Sequence, residues 1–348
     1  MNDTNLAPVD PSFYLNTQLL ATAICLLFLS PITIISNVLL LFTLFRDPLK
    51  CFRNPATYLV VALALVDIST GILVEPFYVM NRVVQFITWS LVLREPYKTL
   101  FRFGHMFSYV VLNASFLLVL GLILTQYIAI TFPHRYRSIV TTSRVLVFIC
   151  TACVYFSAFI LLQFAGVSIQ TLFRMDLHLH STLITVLLIL FSCMLLRSLR
   201  KFAKTSMQLG VGAQNSLSMD ARGNVRLTRT QRINEKQFTI VALLLSGIFI
   251  VCALPHIISF HITLYAKIET PQKSLDLQAV VTIGDEMMFL KVALDAFIYA
   301  WRLPKYRRSL KIVMGYETTR VDPYIGDART VENSTFQQPQ PKSSTASV

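Results

Sequence analysis

The sequence predicts an all-α membrane protein: a bundle of seven transmembrane helices followed by a short interfacial C-terminal helix. Three observations support this fold class. First, 54% of the 348 residues are hydrophobic and only 14% are charged, whereas soluble domains carry about 25% charged residues. Second, seven apolar segments are each long enough to cross a bilayer, which takes about 20 helical residues. Third, most of the 31 lysines and arginines lie between these segments or after the last one, as membrane topology requires.

The apolar segments divide the chain into four parts. We predict an extracellular N-terminus at residues 1–18, a transmembrane domain at 19–303, an interfacial helix at 304–314 and a disordered cytoplasmic tail at 315–348. Within the transmembrane domain, the predicted spans lie at about 19–45, 55–80, 101–130, 145–165, 177–199, 236–265 and 277–301.

The distribution of positive charge predicts the orientation. Lysines and arginines are dense in the connections after the first, third and fifth spans and in the C-terminal part. Because such loops stay in the cytoplasm, we expect a multi-pass membrane protein with its N-terminus outside and its C-terminus inside. We expect this membrane to be the plasma membrane. Asn2 begins the glycosylation sequon Asn2-Asp3-Thr4, which is accessible only if this end lies outside. The basic, amphipathic helix 304–314 is expected to lie on membrane lipids.

Several function classes are disfavoured. The net charge of +13 follows the membrane topology, so it does not indicate a nucleic-acid partner. The sequence lacks internal repeats and paired interrupted helices, which a transporter would require. It also lacks paired catalytic carboxylates, a His-x-x-x-His motif and a nucleophile with a base at helical spacing. We therefore expect no enzyme, no cofactor and no metal site.

A polar cluster is expected inside the membrane. Its members are Asn37, Asp67, Ser115, Lys291 and Asp295. A charge in the bilayer core is costly, so each one requires a partner or a function. Lys291 precedes Asp295 by four residues, which places both on the same face of one helix.

Four short motifs occur in order along the chain. They are Leu63-Ala64-Leu65-Val66-Asp67, Thr125-Gln126-Tyr127 with Ile128-Ala129-Ile130 and Pro133-His134-Arg135-Tyr136 after it, Cys252-Ala253-Leu254-Pro255, and Asp295-Ala296-Phe297-Ile298-Tyr299. Together they resemble the motifs of rhodopsin-like (class A) G-protein-coupled receptors, as a divergent orphan member. Phe101 stands where most members have a cysteine, the second outer loop lacks cysteine and span five lacks its usual proline. These features resemble the melanocortin, adenosine and cannabinoid-like branch.

The resemblance implies that an extracellular ligand opens the inner end of the bundle for a heterotrimeric G protein. It also implies switch residues and, at the Ser/Thr-rich tail, arrestin and receptor kinases as partners. The switch and coupling residues would be Thr125, Gln126, Tyr127, Pro133, Glu235, Phe249, Pro255 and Tyr299. Gln126 replaces the family's triplet arginine, so its hydrogen bond to Glu235 would be weaker than an ion pair. The alternative function is a non-signalling or weakly coupling decoy or scaffold receptor.

The resemblance also bears on the polar cluster, because family members hold a sodium ion with the residues matching Asp67 and Ser115. Our hypothesis is that the ammonium of Lys291 takes the place of that ion and pairs with Asp67 and Asp295. The alternative is that Lys291 snorkels or pairs with Asp295 alone.

A ligand pocket is expected among the outer ends of the spans. Its predicted members are Glu75, His105, Ser108, His256, Asp285 and Glu286. The three carboxylates favour a cationic amine or a basic peptide; alternatively, they pair with Arg82 and Arg102. The outer histidines leave proton or zinc sensing as a further alternative.

Overall fold

The computed structural model describes residues 11–49, 52, 54–88, 95, 97–212, 221–266 and 270–317. Side chains at 11–15, 101, 204–212, 221–236 and 271–272 lie outside this description. The described part is helical and contains no strand, which confirms the predicted all-α class. Asn2 and residues 318–348 of the predicted tail lie outside the described residues.

Seven helical stretches, here called spans one to seven, form the bundle. A short helix connects spans three and four, and another follows span seven. In chain order they are α1 Pro11–Arg46 (span one); α2 Pro55–Ser69 and α3 Glu75–Thr88, joined by the π-helical turn Thr70–Val74 (span two); α4 Tyr97–Thr131 (span three); the short α5 Pro133–Ile139; α6 Thr142–Leu161 (span four); α7 Ile169–Met175 and α8 Leu183–Gly212, joined by the π-helical segment Asp176–Thr182 (span five); α9 Ala221–Tyr265 (span six); α10 Pro271–Arg302 (span seven); and the short α11 Pro304–Val313.

Spans one to six contain, within the described residues, the six helices that are long and apolar enough to cross a membrane. Span seven is as long, but it carries Asp285, Glu286, Lys291 and Asp295. It packs mainly against α9 and α1, and Lys291 and Asp295 are each 1% exposed. Lys291 and Asp295 are therefore turned into the bundle. The seven spans together form a seven-helix transmembrane fold.

Local capping explains where several helices begin. Asn54 accepts a hydrogen bond from the amide of Thr57 at 2.9 Å, and Pro55 occupies the first turn, where its missing N–H costs nothing. Ser168 accepts from the amide of Thr171 at 3.1 Å. Span five consequently begins at Ile169, before the predicted start at 177.

Other helices also run beyond the predicted limits of the spans. Span two continues to Thr88 rather than ending near 80. The backbone helix of span six begins at Ala221 rather than 236. This N-terminal extension contains arginine, leucine and glutamine, which are good helix formers outside the membrane as well as in it.

The short helix α11 lies against α1 and α10 at one end of the bundle. Tyr306 and Ser309 are buried on its inner face. Arg307, Arg308 and Lys311 are exposed. That this helix lies on an anionic leaflet stays a prediction.

Candidate functional site

A cavity of about 190 Å³, here called the outer cavity, opens in the half of the bundle that the sequence predicts to face outward. Spans two, three, five, six and seven all contribute to its walls. The polar side chains in these walls include Arg82, His105, Ser108, Asp176, His256 and Asp285. Aromatic rings, among them Phe116 and Phe260, cover much of the remaining wall. This combination of apolar wall and few polar groups is typical of small-molecule sites.

Four of the six predicted pocket residues line the outer cavity: His105, Ser108, His256 and Asp285. Nδ1 of His256 lies 2.9 Å from Oδ1 of Asp285, and this contact joins spans six and seven. Ser108 donates to the carbonyl of His105, one turn earlier in its own helix, at 2.6 Å.

Glu75 and Glu286 do not line the outer cavity. Glu75 is fully buried and accepts a hydrogen bond from Thr33 of span one at 3.3 Å. Glu286 lies beside Cys25, also of span one. Successive residues of a helix point about 100° apart, so only one of the neighbours Asp285 and Glu286 can face the cavity.

The alternative pairing of the predicted carboxylates with Arg82 or Arg102 is not found within 4.0 Å among the described residues. Arg82 instead donates to the hydroxyl of Thr282 at 3.4 Å.

A second buried network, not foreseen from the sequence, lies at the start of span five. Oδ1 of Asp176 accepts a hydrogen bond from Asn113 of span three and lies 2.8 Å from Nδ1 of His180. Nε2 of His180 in turn lies 2.9 Å from the hydroxyl of Tyr155 on span four. Starting span five at residue 177 leaves Asp176 out of the membrane. The spacing of Asp176 and His180, one helical turn apart, was the signal available in the sequence.

Two other outer histidines lie between spans five and six. The rings of His178 and His261 are 5.1 Å apart and perpendicular. Nε2 of His178 lies 2.9 Å from the hydroxyl of Tyr265, and Nε2 of His261 lies 2.9 Å from that of Thr182. In the described part of the chain, no group of three His, Cys, Asp or Glu side chains is arranged to hold a metal ion.

The centre of the bundle contains the buried cation Lys291. Its Nζ lies 2.6 Å from Oδ2 of Asp295, donates to the hydroxyl of Ser115 at 2.8 Å and lies 5.0 Å from the centre of the Phe249 ring. Asp67 is fully buried and interacts electrostatically with Lys291 and Asp295. Neither of its carboxylate oxygens has a hydrogen-bond partner among the described residues. The direct ion pair is thus with Asp295.

Asn37, the fifth predicted member of this cluster, is also fully buried. Its amide donates to the carbonyl of Thr33 in its own helix at 3.0 Å. Among the described side chains, no hydrogen bond joins Asn37 to Asp67 or Lys291.

At the inner end, Gln126 is buried and its Oε1 accepts a hydrogen bond from Thr239 of span six at 3.1 Å. The predicted partner Glu235 lies one turn earlier in span six, and its side chain is outside the described residues. Thr125 donates to the carbonyl of Leu122 in its own helix at 2.8 Å.

The remaining predicted switch residues lie at several places in the bundle. Tyr127 contacts the ring of Phe191 on span five, with 6.4 Å between ring centres. Pro133 opens α5 and is exposed. Pro255 lies inside α9. Tyr299 is 2% exposed, and its hydroxyl has no hydrogen-bond partner among the described residues.

An aromatic contact connects the outer cavity to the central cation. Phe116 lines the cavity, and its ring lies edge-on to that of Phe249, with 4.4 Å between centres. Phe249 is fully buried and its face is turned to Lys291. A side chain in the cavity wall is therefore two contacts away from the ion pair.

Comparison with known proteins places this geometry in a family. The family model of seven-transmembrane receptors of the rhodopsin family matches residues 36–299. The muscarinic acetylcholine receptor gar-2 of Caenorhabditis elegans is 31% identical over 131 residues, which are 36% of this chain and 19% of that receptor. The match thus spans about a fifth of the relative's length. The placement of this chain in a melanocortin, adenosine or cannabinoid-like branch stays a prediction. The family match begins in the last third of span one and continues into span seven, and the chain belongs to the rhodopsin family of seven-transmembrane receptors, the class A G-protein-coupled receptors.

Proposed function

We propose that this receptor binds an extracellular ligand in the outer cavity and transmits binding to heterotrimeric G proteins. Ligand binding would shift the helical bundle toward a state in which its inner end is open. The proposal places the receptor in the plasma membrane with its N-terminus outside and its C-terminus in the cytoplasm. It includes no catalytic step, since the family is generally non-enzymatic.

The observation that carries this proposal is the contact from Phe116 through Phe249 to Lys291. A ligand that displaces Phe116 moves a ring packed against span six. Phe249 cannot move without changing the surroundings of the buried ammonium, because protein interiors are densely packed and transmit strain. The contact therefore gives a ligand in the cavity a physical means of repositioning spans six and seven.

The inner end would supply the G-protein contacts. We propose that Gln126, Tyr127 and Pro133 contribute to this surface, together with the basic inner ends of spans five and six and α11. Membrane lipids would bind α11, and receptor kinases and arrestin would act on the Ser/Thr-rich tail.

A non-signalling or weakly coupling decoy receptor is the second candidate, and one observation favours it. Gln126 stands where family members carry the triplet arginine, and it makes a neutral hydrogen bond to Thr239. A neutral hydrogen bond contributes about 1 kcal/mol, whereas bonds to charged groups contribute about 1.5–3 kcal/mol. Gln126 therefore holds spans three and six together less firmly than an arginine ion pair would.

Basal G-protein activation separates the two candidates. We would compare wild type with Gln126→Arg across a panel of G-protein classes, at matched surface expression. Thr239→Val is the control, because it removes the donor to Gln126 without adding a charge. Wild-type activation above the empty-vector level supports the coupled receptor. A silent wild type with signal in Gln126→Arg, but not in Thr239→Val, indicates weakened coupling. Silence in all three favours the decoy.

A further inference from the structure

We propose that the outer cavity binds a compact amino acid with a basic side chain. Arg82 and Asp285 would hold its carboxylate and α-ammonium groups, and Asp176 would hold the side-chain cation. The inference rests on the proposed function in one respect only, namely that the outer cavity is the ligand site.

The guanidinium of Arg82 lines the cavity and has free hydrogen-bond donors. Its Nη2 makes one long bond of 3.4 Å to Thr282, and its Nε has no hydrogen-bond partner among the described residues. Within the same part of the chain, no carboxylate lies within 4.0 Å of it. An arginine fork is suited to bidentate binding of a carboxylate. The cavity therefore offers an anion site, which a purely cationic ligand would leave unused.

The cavity wall beside Arg82 carries further polar groups. Asn81 also lines the cavity; it is 5% exposed, and its Oδ1 has no partner among the described residues. Thr282, the partner of Arg82, is three residues before Asp285 on the same face of span seven. His256 contacts Oδ1 of Asp285, and Oδ2 makes no hydrogen bond to described side chains. Neighbouring cationic and anionic groups match the head group of an α-amino acid, whose carboxylate and ammonium are also adjacent.

Asp176 is the acidic group in the part of the cavity wall that span five forms. Both of its hydrogen bonds, from Asn113 and with His180, go to Oδ1. Its Oδ2 has no hydrogen-bond partner among the described residues and remains available to a ligand. His105 also lines the cavity and interacts electrostatically with both Asp176 and Asp285. The ring of Phe260, on the same wall as His256, can cover the aliphatic part of a ligand.

Charge and size narrow the ligand further. Histidines apart, the cavity wall carries one cation, Arg82, and two anions, Asp176 and Asp285, so a ligand with one net positive charge balances these three groups. A basic amino acid has this charge and all three charged groups. The volume of about 190 Å³ is below the roughly 300–1,000 Å³ of pockets for drug-sized ligands. Leaving a buried charge unpaired is costly, so ligands without one of the groups should bind more weakly.

Three matched probes test the proposal on the purified full-length receptor. L-lysine carries all three groups, cadaverine is lysine without its carboxylate, and L-norleucine is lysine without its side-chain ammonium. Their affinities would be read from thermal unfolding at increasing concentration, because a ligand of the native state stabilises it in proportion to ln(1 + [L]/Kd). We expect L-lysine to bind roughly ten- to a hundredfold more tightly than either analogue. This is the difference in affinity that one hydrogen bond to a charged group contributes.

Variants assign each group to its residue. Arg82→Gln should weaken L-lysine to the level of cadaverine, and Arg82→Lys should restore part of the difference. Asp176→Asn should weaken L-lysine to the level of L-norleucine. Arg174→Gln removes the same charge from an exposed position of α7 outside the cavity wall and should leave all three affinities unchanged.

Three results would overturn the inference: cadaverine binding as tightly as L-lysine, L-norleucine binding as tightly as L-lysine, or no stabilisation by any probe up to about 10 mM. If Asp176→Asn fails to fold, the Arg82 variants alone decide, since they test the carboxylate site. Binding is measured here without a G protein. Basal G-protein activation of the same variants in cells then separates failure of this inference from failure of the proposed function.

Discussion

Replacing Lys291 with methionine is the perturbation that tests the centre of the bundle most directly. The methionine keeps the length of the aliphatic chain and removes the ammonium. Lys291 and Asp295 are each 1% exposed, and the two charged atoms are 2.6 Å apart. In Lys291→Met, the buried carboxylates of Asp67 and Asp295 lose the cation that lies among them. We therefore expect a strongly destabilised receptor.

The magnitude follows from the burial of the pair. Removing one partner of a buried ion pair costs about 3–5 kcal/mol, because the other charge stays buried without compensation. An exposed pair contributes only about 0–1 kcal/mol. Lys311 is suited as the matched control, since its side chain is 60% exposed and its Nζ lies 3.7 Å from Glu317. Lys311→Met should therefore leave the free energy of unfolding nearly unchanged.

Thermal unfolding of the purified receptor is the assay, in sodium chloride and in N-methylglucamine chloride at equal ionic strength. If the ammonium takes the place of a sodium ion, sodium should stabilise Lys291→Met and have no specific effect on wild type. At a sodium concentration of 100 times Kd, the gain would be about 2.7 kcal/mol. Combining Lys291→Met with Asp295→Asn should regain roughly 0.5–3 kcal/mol, the range over which contacting residues couple.

Two results would refute this reasoning. If Lys291→Met is as stable as wild type, the ion pair makes no net contribution to the fold. If sodium stabilises wild type as much as the variant, the ammonium does not stand in place of the ion, and Lys291 pairs with Asp295 alone.

Three further predictions concern packing and topology. Gly284→Ala should cost about 1–3 kcal/mol by overpacking, because its Cβ would lie 2.9 Å from Cα of His256. Gly247→Ala, whose Cβ would meet nothing within 4 Å, should instead stabilise the receptor by roughly 0.5–1 kcal/mol; equal thermal shifts for both variants would contradict this. Phe249→Ala should cost about 3–5 kcal/mol in the same assay and reduce signalling more than ligand affinity, whereas equal losses would argue against transmission through this ring. Asn2→Gln should abolish a glycosidase-sensitive mass shift of the cell-surface receptor, and a wild type without such a shift would contradict the predicted sequon.

Much of the fold was predictable because the signals are local. Long apolar segments predict the helices, and the family match runs from the end of span one into span seven. The pairing of Lys291 with Asp295 was also predictable, since both residues belong to one helix at a spacing of four. The first and last residues of the spans were harder to predict. A cap such as Ser168 acts through one hydrogen bond, which hydropathy does not detect.

The composition and local spacing of the sequence by themselves determined the class of the protein, its seven spans and the presence of charges that require partners in the membrane. Only the tertiary structure decided what those charges face: Glu75 and Glu286 turn to span one, Gln126 bonds to Thr239, and Asp176 joins the cavity wall. The physical reason is that a membrane helix is apolar on the face turned to lipid as well as on the face turned to the other helices. Its hydrophobic pattern therefore does not specify its rotation about its axis, and packing against the neighbouring helices determines which side chains meet.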